Sequence, residues 1–246
     1  TEVAIRAAFK AAVDGKQTAV LVPTTVLADQ HWRTFTERLA EFPVQVRQLS
    51  RFITPKKQKE TLKDLARGQI DILVGTHRIL SQDVEFGDLG LVVIDEEHRF
   101  GVKHKERLKS LRTTVDVMTL TATPIPRTLH MALSGVRDMS VISTPPKDRL
   151  PVHTEIITVD EDRIAEAVLR EVDRGGQVFF VHNRVQTIEE KAEELRDSVP
   201  GVKFRTAHGQ MGERALEKVM LDFVDRKFDC LVTTLIIQSR LDRPNV

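Results

Sequence analysis

The chain contains very little cysteine, few aromatic residues and no long apolar segment. Cys230 is the one cysteine among 246 residues, which excludes an internal disulfide and a metal site built from several thiolates. We expect Cys230 to be a buried strand residue. Aromatic residues make up 5% of the chain, and tyrosine is absent. No apolar run approaches the roughly 18 residues of a membrane-spanning helix, so we expect no membrane contact.

An excess of charge of one sign is also lacking. The formal net charge is +1 at pH 7, which provides no global argument for a nucleic-acid partner. Charged residues make up 30% of the chain and apolar residues 41%, as in a globular cytoplasmic protein. One local segment, residues 99–112, is strongly basic, which is typical either of a solvated helix face or of contact with a polyanion. Its basic residues, opposed only by Glu106, are Arg99, Lys103, Lys105, Arg107, Lys109 and Arg112.

Short apolar runs alternate with amphipathic stretches along the chain. This alternation predicts βαβ units and therefore an α/β fold with parallel sheets. The predicted strands are residues 19–22, 44–49, 70–74, 91–94, 117–120, 178–181, 203–206 and 230–233. The predicted helices are residues 2–13, 26–40, 55–66, 103–111, 163–174, 185–198 and 213–225.

The alternation stops once, at residues 143–151. This segment contains three prolines in nine residues, which favours an extended connector over a regular element. We therefore predict two α/β domains, residues 1–146 and residues 147–246.

Consecutive acidic residues follow the apolar run 91–94. In an open α/β sheet, ligands bind in the crevice beyond the carboxyl ends of the strands, so Asp95 and Glu96 are expected to point into that crevice. In phosphoryl-transfer enzymes one such carboxylate holds Mg²⁺ and a neighbouring polar residue orients the attacking water. Asp95 and Glu96 fit these two roles. The alternative is a solvated acidic turn after a core strand.

A phosphate-binding loop, however, is missing from the chain. Its spacing is Gly, four residues, Gly, Lys, then Ser or Thr. Gly15 and Lys16 fail this test, because Gln17 follows them and Lys10 stands in place of the first glycine. We expect the loop to lie immediately before Thr1, which would make Thr1 its hydroxyl residue and a ligand of Mg²⁺ and the nucleotide. On this interpretation the chain is truncated and, in isolation, hydrolyses almost no ATP.

Several segments in order along the chain resemble the motifs of superfamily 2 helicases of the DEAH type. They are residues 20–31 (VLVPTTVLADQH), 73–80 (LVGTHRIL), 95–98 (DEEH), 120–129 (LTATPIPRTL) and 207–211 (AHGQM). The form TATPIPRT resembles the group that contains fork-reversal helicases and bacterial transcription-repair coupling factors. Residues 49–52 (LSRF) and 95–107 (DEEHRFGVKHKER) are similar to the coupling factors specifically.

The resemblance implies two tandem RecA-like domains, truncated at both ends, in an ATP-dependent and Mg²⁺-dependent translocase of double-stranded DNA. It implies that Asp95 holds Mg²⁺ and that Glu96 orients water. His98, Thr121 and Thr123 would link the nucleotide state to the DNA side. RNA polymerase and excision-repair proteins are implied as partners through regions outside this chain. The residues implied to contact the DNA backbone are Thr24, Thr25, Thr76, Arg78, Asn183, Arg184, His208, Gly209, Thr233 and Thr234.

Other interpretations remain open at this point. Thr24 and Thr25 could instead cap a helix, and His208 with Gly209 could form an ordinary loop. The family pattern TTIIESGLDIP is changed here, because Gln238, Arg240 and Arg243 replace a glutamate, a glycine and an isoleucine, and no motif VI follows. Two alternative functions remain: a fork-remodelling helicase, which has the same core, and a non-catalytic helicase-like module that binds DNA or protein, which the missing phosphate loop favours.

Overall fold

The computed structural model describes residues 1–51, 53–96, 100, 115–121, 138–144 and 152–235. The chain divides into two compact units, Thr1–Met139 and Ser140–Val246. The proline-rich residues 145–151, where we placed the domain boundary, lie outside the described residues, so the boundary at residue 146 stays a prediction. The predicted helix 103–111 and the basic segment 99–112 are also outside the described part, apart from Phe100.

The first unit is a five-stranded parallel sheet with helices. The strand order is β2-β3-β1-β4-β5, so the chain starts near the centre of the sheet, builds one side and then crosses to the other. The helices are α1 (Glu2–Val13), α2 (Thr25–Arg38) and α3 (Pro55–Ala66), and a 3₁₀ helix spans His77–Leu80. The strands are β1 (Gln17–Leu21), β2 (Val46–Leu49), β3 (Ile72–Gly75), β4 (Leu89–Asp95) and β5 (Asp116–Leu120).

Both faces of this sheet are covered. All residues of β1 and β3 are buried, as expected for the interior strands of a parallel sheet packed on both sides. Alternate residues of β1 enter two apolar clusters, Leu21 one of them and Val20 the other. Gly75 ends β3 where a larger residue could not fit, because a Cβ there would collide with the carbonyl oxygen of Leu49.

The second unit has the same construction on a smaller scale. Its three strands are parallel, in the order β6-β8-β7. Its elements are α4 (Glu161–Asp173), β6 (Val178–Val181), a 3₁₀ turn (Val185–Thr187), α5 (Ile188–Ser198), β7 (Phe204–Ala207), α6 (Glu213–Val224) and β8 (Cys230–Thr233). Cys230 is fully buried in β8, as predicted, and burial raises the pKa of its thiol to about 12.

The predicted elements that lie within the described residues are present, with differences at some ends. The second helix begins at Thr25 and not at residue 26, because the Thr24 hydroxyl caps it. Helix α4 begins at Glu161, two residues earlier than predicted, because Asp160 accepts a hydrogen bond from the Arg163 amide as its N-cap. Strand β2 begins at residue 46 and not 44, since the Gln45 amide donates to the side chain of Asp71. Among the described residues, no helix is long and apolar enough to cross a membrane.

Candidate functional site

The candidate site lies along the edge of the first sheet where its strands end. Because all five strands are parallel, their carboxyl ends share one edge. Asp95 is the last residue of β4, Thr121 follows β5, Thr24 lies shortly after β1 and Thr76 follows β3. The chain changes direction across the sheet between β1 and β4, and a crevice at such a switch point is where open α/β sheets bind ligands.

Glu96 is tied to the neighbouring strand in two ways. Its backbone amide donates to the carbonyl oxygen of Leu120 at 2.9 Å, and its Oε2 accepts from the Thr121 hydroxyl at 2.8 Å. The φ angle of Glu96 is 51°, a left-handed conformation that costs a residue with a side chain about 1 kcal/mol. Strained backbone of this kind is concentrated at functional sites. The two hydrogen bonds hold the carboxylate beside the end of β5 in spite of this cost.

Asp95 is held from a different direction. Its Oδ2 lies 3.0 Å from Nε2 of His31, which is on helix α2 and 64 residues away in sequence. The side chain of Asp95 is 21% exposed and that of His31 is 11% exposed. The other carboxylate oxygen, Oδ1, has no protein hydrogen bond among the described residues.

The donor set fits a magnesium ion bound with a nucleotide better than a metal ion bound by protein alone. Within the described ranges there is no group of three or more His, Cys, Asp or Glu side chains that could hold a metal. Mg²⁺ commonly uses only one or two carboxylates and completes its shell with water and phosphate oxygens. Asp95, with one oxygen held by His31, matches that requirement. Thr1, predicted as a further ligand, is exposed and stands at the N-cap of α1 without a side-chain capping bond.

The threonines expected to contact DNA differ in accessibility. Thr24 is half-buried, and its hydroxyl accepts from the Leu27 amide at 3.3 Å, so the capping interpretation describes its present role. Thr25 is 3% exposed and Thr76 is 5% exposed. In this conformation their side chains offer little surface to a phosphate, and contact at these positions would come from backbone groups.

Arg78 is engaged by a carboxylate. Its two terminal nitrogens donate to both oxygens of Asp83 at 2.7 and 2.6 Å. This bidentate pair raises the pKa of the guanidinium and lowers the pKa of the Asp83 carboxyl. A phosphate that approaches Arg78 would have to share it with Asp83 or displace Asp83.

The second unit presents its predicted residues at the corresponding edge of its own sheet. Asn183 and Arg184 follow β6 and are exposed, and the Asn183 side-chain oxygen accepts from the Leu235 amide at 3.2 Å. Gly209 is exposed after β7, and His208 beside it is half-buried. Thr233, the last residue of β8, is 1% exposed, and its hydroxyl donates to the carbonyl oxygen of Thr234. Thr234 follows the strand and is half-buried.

Some predicted residues lie outside the part of the chain that the structure describes. They are His98, Thr123, Gln238, Arg240 and Arg243. Two other residues at the site were given no role from the sequence, His31 and Asp83. His31 follows Leu27 and precedes Phe35 at intervals of four residues, and a histidine within an apolar helical stripe is the signal that could have identified it.

The two units are RecA-like helicase domains. The family model of the DEAD/DEAH box helicases matches residues 1–132, and that of the helicase conserved C-terminal domain matches residues 161–246. The chain therefore belongs to the DEAD/DEAH box helicase family. Within it, the chain is similar to the transcription-repair-coupling factors of Staphylococcus haemolyticus and Staphylococcus aureus, with 56% identity over 100% of its length. This agrees with the resemblance in the sequence. The chain spans 21% of each of those relatives.

Solved structures of other helicases are also similar to this chain. RecG bound to a three-way DNA junction is 37% identical, with a TM-score of 0.72, over 94% of this chain and 31% of that one. The helicase MrfA bound to DNA and AMPPNP has a TM-score of 0.63 over 94% of this chain and 37% of that one. At 15% identity, MrfA supports the fold alone.

Proposed function

We propose that this chain is the ATP-driven motor portion of a double-stranded DNA translocase that acts in transcription-coupled repair. The observation that carries the proposal is the hydrogen bond from Thr121 to Glu96, 2.8 Å long, beside the Asp95 carboxylate. It joins the carboxylate that would act on water to the segment after β5. The 56% identity to transcription-repair-coupling factors supports this choice among helicase functions.

Each carboxylate has a separate task in the proposed reaction. Asp95 would hold Mg²⁺, directly or through water, with Oδ1. The ion would neutralise charge on the β- and γ-phosphates. Glu96 would accept a hydrogen bond from the attacking water and orient it in line with the γ-phosphate. Thr121 donates a hydrogen bond to Glu96, so a movement of that carboxylate would also move the segment that follows β5.

The DNA side of the proposal rests on the strand-end residues of both units. Exposed Asn183, Arg184 and Gly209 offer an amide, a cation and a backbone N–H to phosphate oxygens. Contacts of this kind fix the position of a duplex without reading its sequence, which is what a translocating motor requires. RNA polymerase and excision-repair proteins would be contacted by parts of the full-length protein beyond this chain.

Two substitutions test the assignment of the carboxylates in the full-length protein. Asp95→Ala should weaken Mg²⁺-dependent ATP binding, because the triphosphate charge is left uncompensated. Glu96→Gln should leave ATP binding intact and reduce single-turnover hydrolysis by at least about a hundredfold, since the amide cannot accept a proton. Glu85→Gln, an exposed carboxylate of the same unit, serves as the control. Hydrolysis at the parental rate in Glu96→Gln would show that this strand end is not the catalytic site.

A fork-remodelling helicase is the second candidate, favoured by the TM-score of 0.72 to RecG bound to a junction. The two candidates differ in the obstacle that the motor displaces. The full-length protein should release a stalled RNA polymerase from duplex DNA in an ATP-dependent way. If it instead leaves the polymerase in place and regresses a model replication fork, the second candidate is correct.

A further inference from the structure

Apolar packing alone does not explain why a histidine occupies position 31. It lies on α2 between two apolar groups, Leu27 and Ala28 on one side and Phe35 on the other. Its ring meets the Phe35 ring edge-on, with centroids 6.4 Å apart and an interplanar angle of 77°. Its Nε2 lies 3.0 Å from the Oδ2 of Asp95.

The direction of this hydrogen bond follows from its chemistry. An ionised carboxylate can only accept, so the proton of the bond is carried by Nε2 of His31. A carboxylate on a single bond to its Cβ can rotate, and one fixed oxygen limits that rotation. With Oδ2 held by the imidazole, the position of Oδ1 at the strand edge is also fixed. Residues that hydrogen-bond metal-binding carboxylates orient them in this way in many metal sites.

We propose that His31 is a positioning residue of the magnesium site: its ring N–H holds Oδ2 of Asp95 so that Oδ1 is presented to the metal. The inference rests on the proposed function, because it takes Asp95 as the metal-binding carboxylate. The same helix begins at the Thr24 cap, so α2 connects the loop after β1 with the end of β4. The competing explanation is a satisfied core histidine that stabilises the first unit without any effect on the metal.

The test measures how much Mg²⁺ the full-length protein needs to bind a fluorescent ATP analogue. His31→Leu keeps the size and the apolar packing but removes the donor, and we expect the half-saturating Mg²⁺ concentration to rise roughly tenfold. His31→Gln places an amide N–H at a similar reach and should restore the requirement to within about threefold of the parent. His31→Asn is polar but too short to reach Asp95, and it should behave like His31→Leu.

Phe35→Leu is the matched control for packing. It removes the ring that contacts His31 and should lower the urea midpoint of unfolding, while the Mg²⁺ requirement stays at the parental value. If His31→Leu fails to fold, the comparison of His31→Gln with His31→Asn decides the question in its place. The inference is overturned if the two amides have the same Mg²⁺ requirement, or if Phe35→Leu raises it as much as His31→Leu does.

Asp95→Ala separates this inference from the proposed function. If Asp95→Ala leaves the Mg²⁺ dependence of nucleotide binding unchanged, the proposed function fails, whatever the His31 variants do. If Asp95→Ala abolishes that dependence and the His31 variants do not change it, only the positioning role of His31 is wrong.

Discussion

At the scale of single residues, Glu96 combines an unfavourable backbone conformation with a side chain held by Thr121. A left-handed φ angle is tolerated easily only by glycine, whose lack of a Cβ removes the steric clash. In the proposed function a carboxylate is needed at this position, so stability and function would make opposite demands on this residue.

This conflict predicts a difference between two substitutions that both remove the carboxylate. Glu96→Gly should be more stable than Glu96→Ala by about 1 kcal/mol, because glycine relieves the left-handed strain that alanine keeps. Urea unfolding of the two variants measures the difference. Arg226, with a φ angle of 56° at the end of α6, allows the same pair of substitutions away from the site. Equal stability of Glu96→Gly and Glu96→Ala would mean that the native φ angle is not positive.

At the scale of elements, a cluster of charged side chains in the second unit connects strand β7 with helix α6 and with the loop that follows α6. Asp222 on α6 is buried, and its two carboxylate oxygens accept from Arg205 on β7 at 2.9 Å and from Lys227 at 2.6 Å. The Arg205 guanidinium also lies 5.5 Å from the centre of the Phe228 ring. Lys227 first, and then Arg205, lower the pKa of the Asp222 carboxyl.

The lowered pKa predicts how the stability of the second unit changes with pH. The ionised form of Asp222 is favoured in the folded state, so its contribution is complete above the unfolded value of about 3.9 and is lost as pH falls through the lower folded pKa. Asp222→Asn should therefore be less stable than the parent at pH 7, and the difference should shrink below about pH 4. Urea unfolding between pH 7 and pH 3 measures it, with exposed Asp197→Asn as control. A difference that stays constant down to pH 3 would contradict the ion-pair explanation.

At the scale of the whole chain, a net charge of +1 offers no general attraction to DNA, so the proposed DNA binding would have to come from local contacts at the strand edges. Binding should be insensitive to sequence, and the logarithm of affinity should fall with the logarithm of salt concentration with a slope of about −0.9 per phosphate contacted. Arg184→Ala should weaken binding to all duplexes about equally and reduce the magnitude of the slope by about 1.

Arg196 provides the control for this measurement. It is exposed in the last turn of α5, which returns the chain to the opposite edge of the sheet, so Arg196→Ala should leave the affinity and the slope unchanged. Filter binding or fluorescence anisotropy over a range of salt concentrations provides both quantities. An affinity that does not change between low and moderate salt would favour a protein-binding module over a DNA motor.

The sequence alone determined the order of elements, the parallel sheets and the positions of Asp95, Glu96 and Thr121 at strand ends. It could do so because apolar periodicity is local, and because a residue that directly follows a buried parallel strand has to lie at the carboxyl edge of the sheet. The family resemblance followed from motifs in the same order along the chain. The first residues of β2 and α4 were predicted wrongly, since hydrogen bonds from backbone amides to the side chains of Asp71 and Asp160 set them.

Only the tertiary structure decided which of these residues are accessible and what they contact. It brought His31 to Asp95 across 64 residues and paired Arg78 with Asp83. Gln17 and Gln177 also make long-range contacts. The side chain of each donates to two backbone carbonyl oxygens, one in the last turn of a helix and one in the loop between that helix and the next strand. Burial and long-range contact depend on which faces pack together, and a local sequence pattern does not specify the partner of a face.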